Sequence, residues 1–304
     1  MEIQYIKNNQ IDKSKWDLSI DKSQNGLVYA QSWFLDIIAP GWDALISGDY
    51  EIIMPLPQKT VLGQWILFQP VFAHQLGIFS SYKLTNKEID LFIHELIKHF
   101  GLIDIKLNNQ NPASNNKLFY KRNTQLLNLD NNYNDIEALY NRSTKNNLKK
   151  SKREKLDFDV IMDSSGLVEL VKEMYKRKNV KGVGQKEYDN LKILADFAIE
   201  KGIGKIYAAF FGQKICSAML TIQWKGRIYT FYGTNELGRQ KRAMFALLDH
   251  FISLNSGMGM VLDFCGSNIL GVMEWNMGFG AQNHTYSGLY FNNLPFWLKW
   301  RYKN

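Results

Sequence analysis

Residues 227–280 read RIYTFYGTNELGRQKRAMFALLDHFISLNSGMGMVLDFCGSNILGVMEWNMGFG. The first residues are β-branched and aromatic and predict a strand that ends in Tyr232-Gly233-Thr234. The basic segment 238–243 then opens an amphipathic helix, which is followed by an apolar strand and a short helix. A strand, a basic helix N-terminus and a second strand can together hold an anionic group, because free N–H groups and the positive end of the helix dipole point toward it.

Parts of this stretch resemble the Fem-type (FemABX) peptidoglycan aminoacyltransferases and the related Gcn5-type N-acyltransferases, whose fold the Fem-type enzymes contain twice. The resemblance rests on residues 232–235, 262–267 and 271–280. Residues 141–150 also resemble the basic helix that these proteins place before the second domain. The resemblance is good over residues 135–291 and loose over the first 130 residues. It implies an α+β protein of two tandem Gcn5-like (acyl-CoA N-acyltransferase) domains, with mixed, mostly antiparallel sheets flanked by helices.

The composition is that of an ordinary globular protein, with 45% apolar and 22% charged residues among 304. The two cysteines, Cys216 and Cys265, lie in apolar runs and are predicted to be reduced core thiols. The sequence contains no Cys/His cluster with metal-ligand spacing. It shows neither a signal peptide nor an apolar run long enough to span a membrane, which predicts a cytoplasmic location. The net charge of +8 favours anionic partners such as CoA, tRNA or a membrane face.

The first predicted domain comprises residues 1–134 and mixes α and β elements. Residues 50–54 predict a strand that ends before Pro55. Thr85 to Glu88 form a capping box at the start of a helix, and a strand at 102–107 follows. Polar residues 131–134 mark the predicted domain boundary.

The second predicted domain comprises residues 135–291. Three helices are predicted first, near 143–155, 165–179 and 186–201. Strands at 203–211, 214–224 and 227–232 follow as antiparallel neighbours, because two-residue turns separate them. The remaining predicted elements are a helix at 240–256, a strand at 259–264, a helix at 269–276 and a strand at 283–291.

The C-terminal tail, 292–304, contains Phe296, Trp297 and Trp300 among lysines and arginines. We expect this tail to pack its aromatic side chains back onto the N-terminal domain. The alternative is an interfacial membrane anchor, since aromatic and basic residues are combined in such segments.

A phosphate site of the donor is predicted where the basic segment begins the helix. In Gcn5-type enzymes, the glycines of this turn let backbone N–H groups grip the CoA pyrophosphate. Here Arg242 and Met244 stand where those glycines would be, so side-chain cations are expected to hold the phosphate by charge-assisted bonds. The alternative is an exposed helix start without a ligand. The predicted donor-binding residues are Thr234, Asn235, Arg239, Lys241, Arg242 and Ala243.

The closing motif reads Trp275-Asn276-Met277-Gly278-Phe279-Gly280, where the Fem-type pattern resembles Phe-Lys-Lys-Gly-Phe-Gly. The glycines are kept and both lysines are absent, and in the family a lysine here lies near the reacting ester of aminoacyl-tRNA. Glu274 occupies the position of a catalytic tyrosine in many Gcn5-type enzymes and is a candidate acid or base if burial raises its pKa. Otherwise it is a surface glutamate. Asp263, at the carboxyl end of a predicted strand, and Tyr286 complete the candidate catalytic set. The alternative for Tyr286 is a core aromatic residue with a hydrogen-bonded hydroxyl.

Seven cations and one acid occupy residues 142–155, and the repulsion among these cations favours a nearby anion, such as a nucleic acid, a phosphate or an anionic substrate. The alternative is a solvated helix face without a ligand. Arg142 and Lys145 of this helix, with Tyr232 and Trp275, are the candidate substrate-binding residues.

Three functions follow as hypotheses. The first is an N-acyltransferase that moves an acyl group from an acyl-CoA-type donor to the amine of a small molecule or a cell-wall precursor. The second is a Fem-type transferase that uses aminoacyl-tRNA and a peptidoglycan precursor. The third is a non-catalytic binder of an anionic ligand or RNA. No permanently bound cofactor is expected, since acyl-CoA or aminoacyl-tRNA is a co-substrate, and fold alone does not separate these functions.

Overall fold

The computed structural model describes residues 1–111, 117–266 and 268–302. Ser267 of the predicted strand end and Lys303 and Asn304 of the predicted tail lie outside the described residues. The strands are β1 (Ile3–Ile6), β2 (Asp43–Ser47), β3 (Ile52–Leu56), β4 (Gln58–Val61), β5 (Gln64–Phe68), β6 (Phe79–Ser80), β7 (Leu102–Lys106), β8 (Phe119–Asn128), β9 (Leu156–Ile161), β10 (Gly204–Phe211), β11 (Lys214–Trp224), β12 (Arg227–Thr234), β13 (Val261–Asp263) and β14 (Gln282–Asn292). The helices are α1 (Lys13–Lys22), α2 (Ser32–Ile38), α3 (Asn86–His99), α4 (Tyr133–Ala138), α5 (Arg142–Ser151), α6 (Ser164–Arg177), α7 (Gln185–Glu200), α8 (Glu236–Gln240), α9 (Ala243–Asn255), α10 (Leu270–Gly278) and α11 (Phe296–Lys299).

The chain divides into two compact units. Unit 1 consists of Met1–Arg122 and Thr285–Asn304, and unit 2 of Asn123–His284. The first division falls within β8 and the second within β14, whereas the sequence analysis places the boundaries in the polar segment 131–134 and after residue 291. A polar segment marks a surface turn, and here that turn lies inside unit 2, between β8 and α4.

Unit 1 contains an antiparallel sheet in the order β1-β2-β3-β6 and the strands β4-β5-β7-β14. Its helix α3 begins with the predicted capping box, in which Glu88 N–H donates to Thr85 Oγ1 and Thr85 N–H donates to the Glu88 carboxylate. The prediction that the strand at residues 50–54 ends before Pro55 is wrong. Pro55 lies within β3, opposite Ala44 of β2, so the ring fits a sheet position despite its missing N–H.

The C-terminal segment packs on unit 1, but through leucines. Leu294 and Leu298 are buried against Ile66 and Leu102. The aromatic side chains that were expected to be packed point outward, with Phe296 88%, Trp297 48% and Trp300 68% exposed. The short α11 turns Leu298 inward, and the aromatic residues therefore lie on its other faces.

Unit 2 is built on a sheet with the strand order β8-β13-β12-β11-β10-β9. Strands β10, β11 and β12 are consecutive antiparallel neighbours, as predicted from their two-residue turns. β12 and β13 are parallel, and the connection between them contains α8 and α9. The main apolar core lies between this sheet and α9, where Leu247, Leu248 and Phe251 are buried.

The helix predicted at 240–256 is interrupted. Helix α8 ends at Gln240 and α9 begins at Ala243, and Arg242 between them has a left-handed backbone (φ 60°, ψ 29°). A left-handed residue cannot continue a right-handed helix, so the chain turns here.

The closing motif has a packing role in unit 2. A Cβ added to Gly278 would lie 2.5 Å from Thr144 Oγ1 of α5, and the Gly278 carbonyl accepts a hydrogen bond from Asn141 N–H. Phe279 is fully buried and contacts the Tyr140 ring edge-on, with centroids 5.2 Å apart. The Gly-Phe-Gly motif therefore joins the end of α10 to the start of α5.

Cys216 and Cys265 are buried and are not joined in a disulfide, as predicted, and burial raises the pKa of the Cys216 thiol to about 11. Across the described residues, no helix has the length and apolar character needed to cross a membrane. Helices flank mixed, mostly antiparallel sheets in this α+β chain, which confirms the predicted fold class.

Candidate functional site

A cavity of about 630 Å³ lies in unit 2 beside the C-terminal end of β12. Its volume is within the range of small-molecule sites in proteins. Side chains and backbone from α5, α6, β12, α8, α9 and α10 form its wall. The lining residues are Asn147, Met174, Arg177, Lys178, Val180, Tyr232, Thr234, Gly238, Arg239, Arg242, Met244, Phe245, Ile269, Gly271, Val272 and Trp275.

The cavity exists because two parallel strands differ in length. β12 pairs with β13 from Arg227 to Tyr229, where β13 ends at Asp263. β12 continues to Thr234 and pairs there with β11 on its other side. Among the described strands, none pairs with the remaining edge of residues 230–234, and Tyr232 and Thr234 of this segment line the cavity.

Helix α6 lies unusually close to this strand. A Cβ on Gly233 would be 2.4 Å from the backbone nitrogen of Val171, so only glycine permits the contact. The last turn of α6 then reaches the strand end, where Arg177 Nη2 donates to the Thr234 carbonyl at 3.2 Å.

Two cations at the C-terminal end of α6, Arg177 and the following Lys178, form one side of the cavity rim. Arg177 Nη1 is buried and has no hydrogen-bond acceptor among the described residues, and the Glu173 carboxylate lies 3.8 Å from it. Partial burial and the neighbouring Arg177 charge lower the pKa of Lys178. Two adjacent cations with incomplete compensation favour the binding of an anion.

The start of α9 forms the other side of the rim. Arg242 Nη1 donates to the Arg239 carbonyl at 2.6 Å. The first N–H groups of α9 belong to Ala243 and Met244 and have no acceptor within the helix. Of the residues that line the cavity, four are basic (Arg177, Lys178, Arg239 and Arg242) and none is acidic. The rim therefore has the charge expected of a site for phosphate or another anionic group.

The floor of the cavity is apolar and aromatic. The rings of Tyr232 and Trp275 are 5.4 Å apart, and Phe245 contacts the edge of Trp275. Met174 and Met244 complete this surface. Burial, and then the nearby Tyr175 and Cys265, raise the pKa of Tyr232 above its usual range, so its hydroxyl keeps its proton and can donate a hydrogen bond.

Five of the predicted ligand-binding residues come together at this cavity. They are Tyr232, Thr234, Arg239, Arg242 and Trp275.

Three predicted donor-binding residues have other contacts. The Asn235 side chain accepts the Gly238 N–H and caps α8. Lys241 Nζ lies 2.6 Å from the Glu154 carboxylate and over the Phe211 ring. Ala243 is fully buried. None of these three residues lines the cavity, and their side chains have structural contacts instead.

The three candidate catalytic residues are dispersed. Glu274 is exposed and is not among the residues that line the cavity. Asp263 is buried, and its carboxylate contacts Arg227 Nη1 at 3.3 Å and accepts the Cys265 N–H at 2.8 Å. Burial raises the pKa of Asp263, and these partners oppose that rise. Tyr286 is buried on β14 in unit 1.

The basic helix α5 borders the cavity through Asn147. Arg142 and Lys145, its predicted substrate-binding residues, are exposed and do not line the cavity, and Lys145 Nζ donates to the Ala138 carbonyl at 3.2 Å. Lys149 and Lys150 are also exposed. The helix therefore presents its cations to solvent next to the cavity.

Sequence reasoning missed Arg177 and Lys178. Met174, Arg177 and Lys178 are spaced at i, i+3 and i+4, so they share one face of α6. This combination of one apolar and two basic residues was the available signal. The sequence does not show that this face of α6 borders a cavity, because that depends on the packing of α6 against β12 at Gly233.

Solved structures with the same fold include two classes of named proteins. FemX matches with a TM-score of 0.64 at 13% sequence identity, over 94% of this chain and 97% of FemX. The C-terminal domain of a putative lysylphosphatidylglycerol synthetase from Agrobacterium fabrum matches with a TM-score of 0.56 at 10% identity, over 92% of each chain. L-PGS from Bacillus licheniformis matches with a TM-score of 0.51 at 13% identity, over 87% of this chain and 89% of that one.

No family model and no curated protein sequence matches the chain. Sequence identities this low establish the fold alone. The chain has the fold of FemX, as the resemblance of its second half to the Fem-type aminoacyltransferases predicts.

Proposed function

We propose that this protein transfers an acyl group from an activated, phosphate-bearing donor of the acyl-CoA type to an amine, with the donor bound in the cavity of unit 2. The observation that supports this most is the combination of an apolar floor with a rim of four basic residues and no acidic one. Such a site suits a ligand with an uncharged acyl end and an anionic carrier. The sequence predicts a cytoplasmic location, and acyl-CoA-type donors occur in the cytoplasm.

The reaction requires positioning, a polarised carbonyl and a route for one proton. The amine nitrogen attacks the acyl carbonyl carbon, and the bond from that carbon to the sulfur or oxygen of the carrier breaks. The proton released by the amine passes to the leaving group or to solvent. In this proposal, a backbone N–H group at the end of β12 and the protonated Tyr232 hydroxyl donate hydrogen bonds to the carbonyl oxygen, since Tyr232 and Thr234 line the cavity.

A second candidate function is transfer from aminoacyl-tRNA to a peptidoglycan precursor. It is favoured by α5, whose exposed Arg142, Lys145, Lys149 and Lys150 lie on a helix that also lines the cavity through Asn147. A polyanion on this helix could place its acylated end at the cavity. The missing lysines of the closing motif mean that Tyr232 or backbone groups would have to stabilise the reacting ester.

Thermal shifts with a panel of ligands distinguish these functions. We expect acyl-CoA thioesters to raise the Tm by a few degrees at about a hundredfold excess over their Kd, because ligand binding to the folded state stabilises it by roughly 2.7 kcal/mol. Free CoA, charged and uncharged tRNA and cell-wall precursors form the other arms. A response to charged tRNA alone would select the second function. Turnover with added amines then separates an enzyme from a binder.

The Arg177→Gln variant tests whether a donor that shifts the Tm binds in the cavity. It removes a lining cation and should abolish most of the shift. Lys201→Gln removes an exposed cation of unit 2 outside the cavity lining and should leave the shift unchanged. An equal loss in both variants, or no shift with any donor, would refute donor binding at this cavity.

A further inference from the structure

The C-terminal segment of unit 1 displays three large aromatic side chains to solvent. Phe296 is 88% exposed, Trp297 48% and Trp300 68%. Globular proteins rarely expose large apolar groups close together unless these contact a partner. We call these three residues, together with Lys299 and Arg301, the aromatic surface.

The aromatic surface is held in place by its backbone and by two leucines. Leu294 and Leu298 are buried on the opposite side, in a cluster with Ile66 and Leu102. The Tyr302 carbonyl accepts hydrogen bonds from the Tyr290 hydroxyl and from Asn292 Nδ2. The exposed rings are therefore presented on an anchored support.

The positive charge of the aromatic surface indicates what kind of partner it binds. Lys299 and Arg301 are exposed among the rings, and residues 292–304 contain no acidic residue. A symmetric contact with a second copy would place the same cations of both copies in one interface, which like-charge repulsion opposes. An anionic lipid surface instead offers negative charge for the cations and an interfacial layer for tryptophan rings.

We infer that the aromatic surface docks the protein peripherally on an anionic lipid bilayer, with the three rings in the interfacial layer and the two cations at the headgroups. Tryptophan and phenylalanine contribute apolar area at this depth, and binding scales with that area plus the attraction of nearby cations to anionic lipid. This inference does not depend on the proposed function, because the surface lies in unit 1 and the cavity in unit 2.

Co-sedimentation of the full chain with lipid vesicles tests the inference. We expect binding to vesicles that contain phosphatidylglycerol and much weaker binding to phosphatidylcholine alone. Trp297→Ser and Trp300→Ser should each weaken binding about tenfold, as expected for the loss of one largely inserted ring. Lys299→Gln and Arg301→Gln should each weaken binding to the anionic vesicles about fivefold and leave the weak binding to neutral vesicles unchanged.

Leu18→Ser is the matched control. Leu18 is another exposed apolar residue of unit 1, on α1, and its replacement should not change vesicle binding. Equal vesicle binding by wild type and a Phe296→Ser/Trp297→Ser/Trp300→Ser variant with an unchanged circular dichroism spectrum would overturn the inference. Self-association without lipid that this variant abolishes would identify a second copy as the partner and also overturn it.

Discussion

Arg242 combines a backbone that favours glycine with a side chain that glycine lacks. Its φ of 60° is left-handed, which costs a residue with a Cβ about 1 kcal/mol. In exchange, its guanidinium lies at the rim of the cavity, directly before α9. The resemblance to Gcn5-type enzymes predicts a glycine here, and this chain instead has a cation with a left-handed backbone.

Arg242→Gly should separate the two features. We expect its stability to remain within about 1 kcal/mol of wild type, since glycine relieves the left-handed strain. The Kd of an anionic donor should rise about ten- to a hundredfold, because a charge-assisted hydrogen bond is worth roughly 1.5–3 kcal/mol. Donor titration with a urea melt measures both quantities.

Lys155→Gly is the control for that variant. Lys155 is also an exposed cation with a left-handed backbone (φ 49°), and it does not line the cavity. Its replacement should leave donor affinity unchanged. Equal affinity of the Arg242→Gly variant and wild type would show that this turn does not contact the anion.

Gly278 tests the packing role of the closing motif. A Cβ here would meet Thr144 Oγ1 at 2.5 Å. Gly278→Ala should therefore destabilise the protein by roughly 1–3 kcal/mol, as overpacking does. Adding Thr144→Ala should recover part of this loss, and a double-mutant cycle of unfolding free energies measures the coupling.

Gly271→Ala provides the contrast within the same helix. Among the described residues, and apart from the backbone of the helix itself, no heavy atom lies within 4 Å of the Cβ position at Gly271, so alanine should stabilise α10 slightly through its helix propensity. If Gly278→Ala changes the free energy of unfolding no more than Gly271→Ala does, α5 moves to accommodate the added methyl group at little cost.

At the scale of elements, the hairpins β10-β11-β12 were predictable because each turn is signalled locally. Gly212 and Gly226 have left-handed backbones at the two turns, and apolar residues fill the strands between them. The break between α8 and α9 was not predictable, since arginine gives no local signal for a left-handed residue. The position of Arg177 and Lys178 at the same cavity as Arg239 was not predictable either, because it arises from the packing of α6 on β12.

Helix α5 tests whether a polyanion is a substrate. If a tRNA-like donor binds there, the plot of log affinity against log salt has a negative slope. Changing Lys145, Lys149 and Lys150 together to Gln should make this slope shallower by about two to three. Filter binding at a series of salt concentrations measures this slope. A solvated helix face without a ligand would leave the slope unchanged.

A charge-matched control variant replaces Lys172, Lys192 and Lys201 with Gln. These lysines are ion-paired residues of α6, α7 and the α7 terminus, and none lines the cavity. The control reports the effect of net charge alone. A slope that falls equally in both variants would indicate long-range attraction, and α5 would then not be a binding surface.

At the scale of the whole molecule, we expect a loss of stability in mild acid. Burial, and then the charge of Lys106, lower the pKa of His74 in unit 1 to about 3. Its unfolded value is near 6.5, so the unfolded chain takes up the proton first. The stabilisation is present above pH 6.5 and is lost as the pH falls from 6.5 toward 3.

His74→Gln should flatten this acid dependence. Between pH 7 and 4.5, wild type should lose roughly 2 kcal/mol more unfolding free energy than the variant. Urea midpoints at the two pH values measure the difference. His250→Gln is the control, because that residue lies in unit 2 and its replacement should not alter the acid dependence of unit 1. An identical acid dependence in wild type and the His74→Gln variant would contradict the prediction.

The contact between Gly233 and the backbone of Val171 limits how this protein could evolve a new specificity. Since two backbones touch there, α6 cannot slide along β12 or tilt away from it without losing that contact. The positions at 174, 177 and 178 are therefore fixed in space, while their side chains are free to vary. A library randomised at these three positions, with Gly233 held constant, should change ligand preference while retaining the fold, whereas randomising residue 233 should yield mainly unfolded variants.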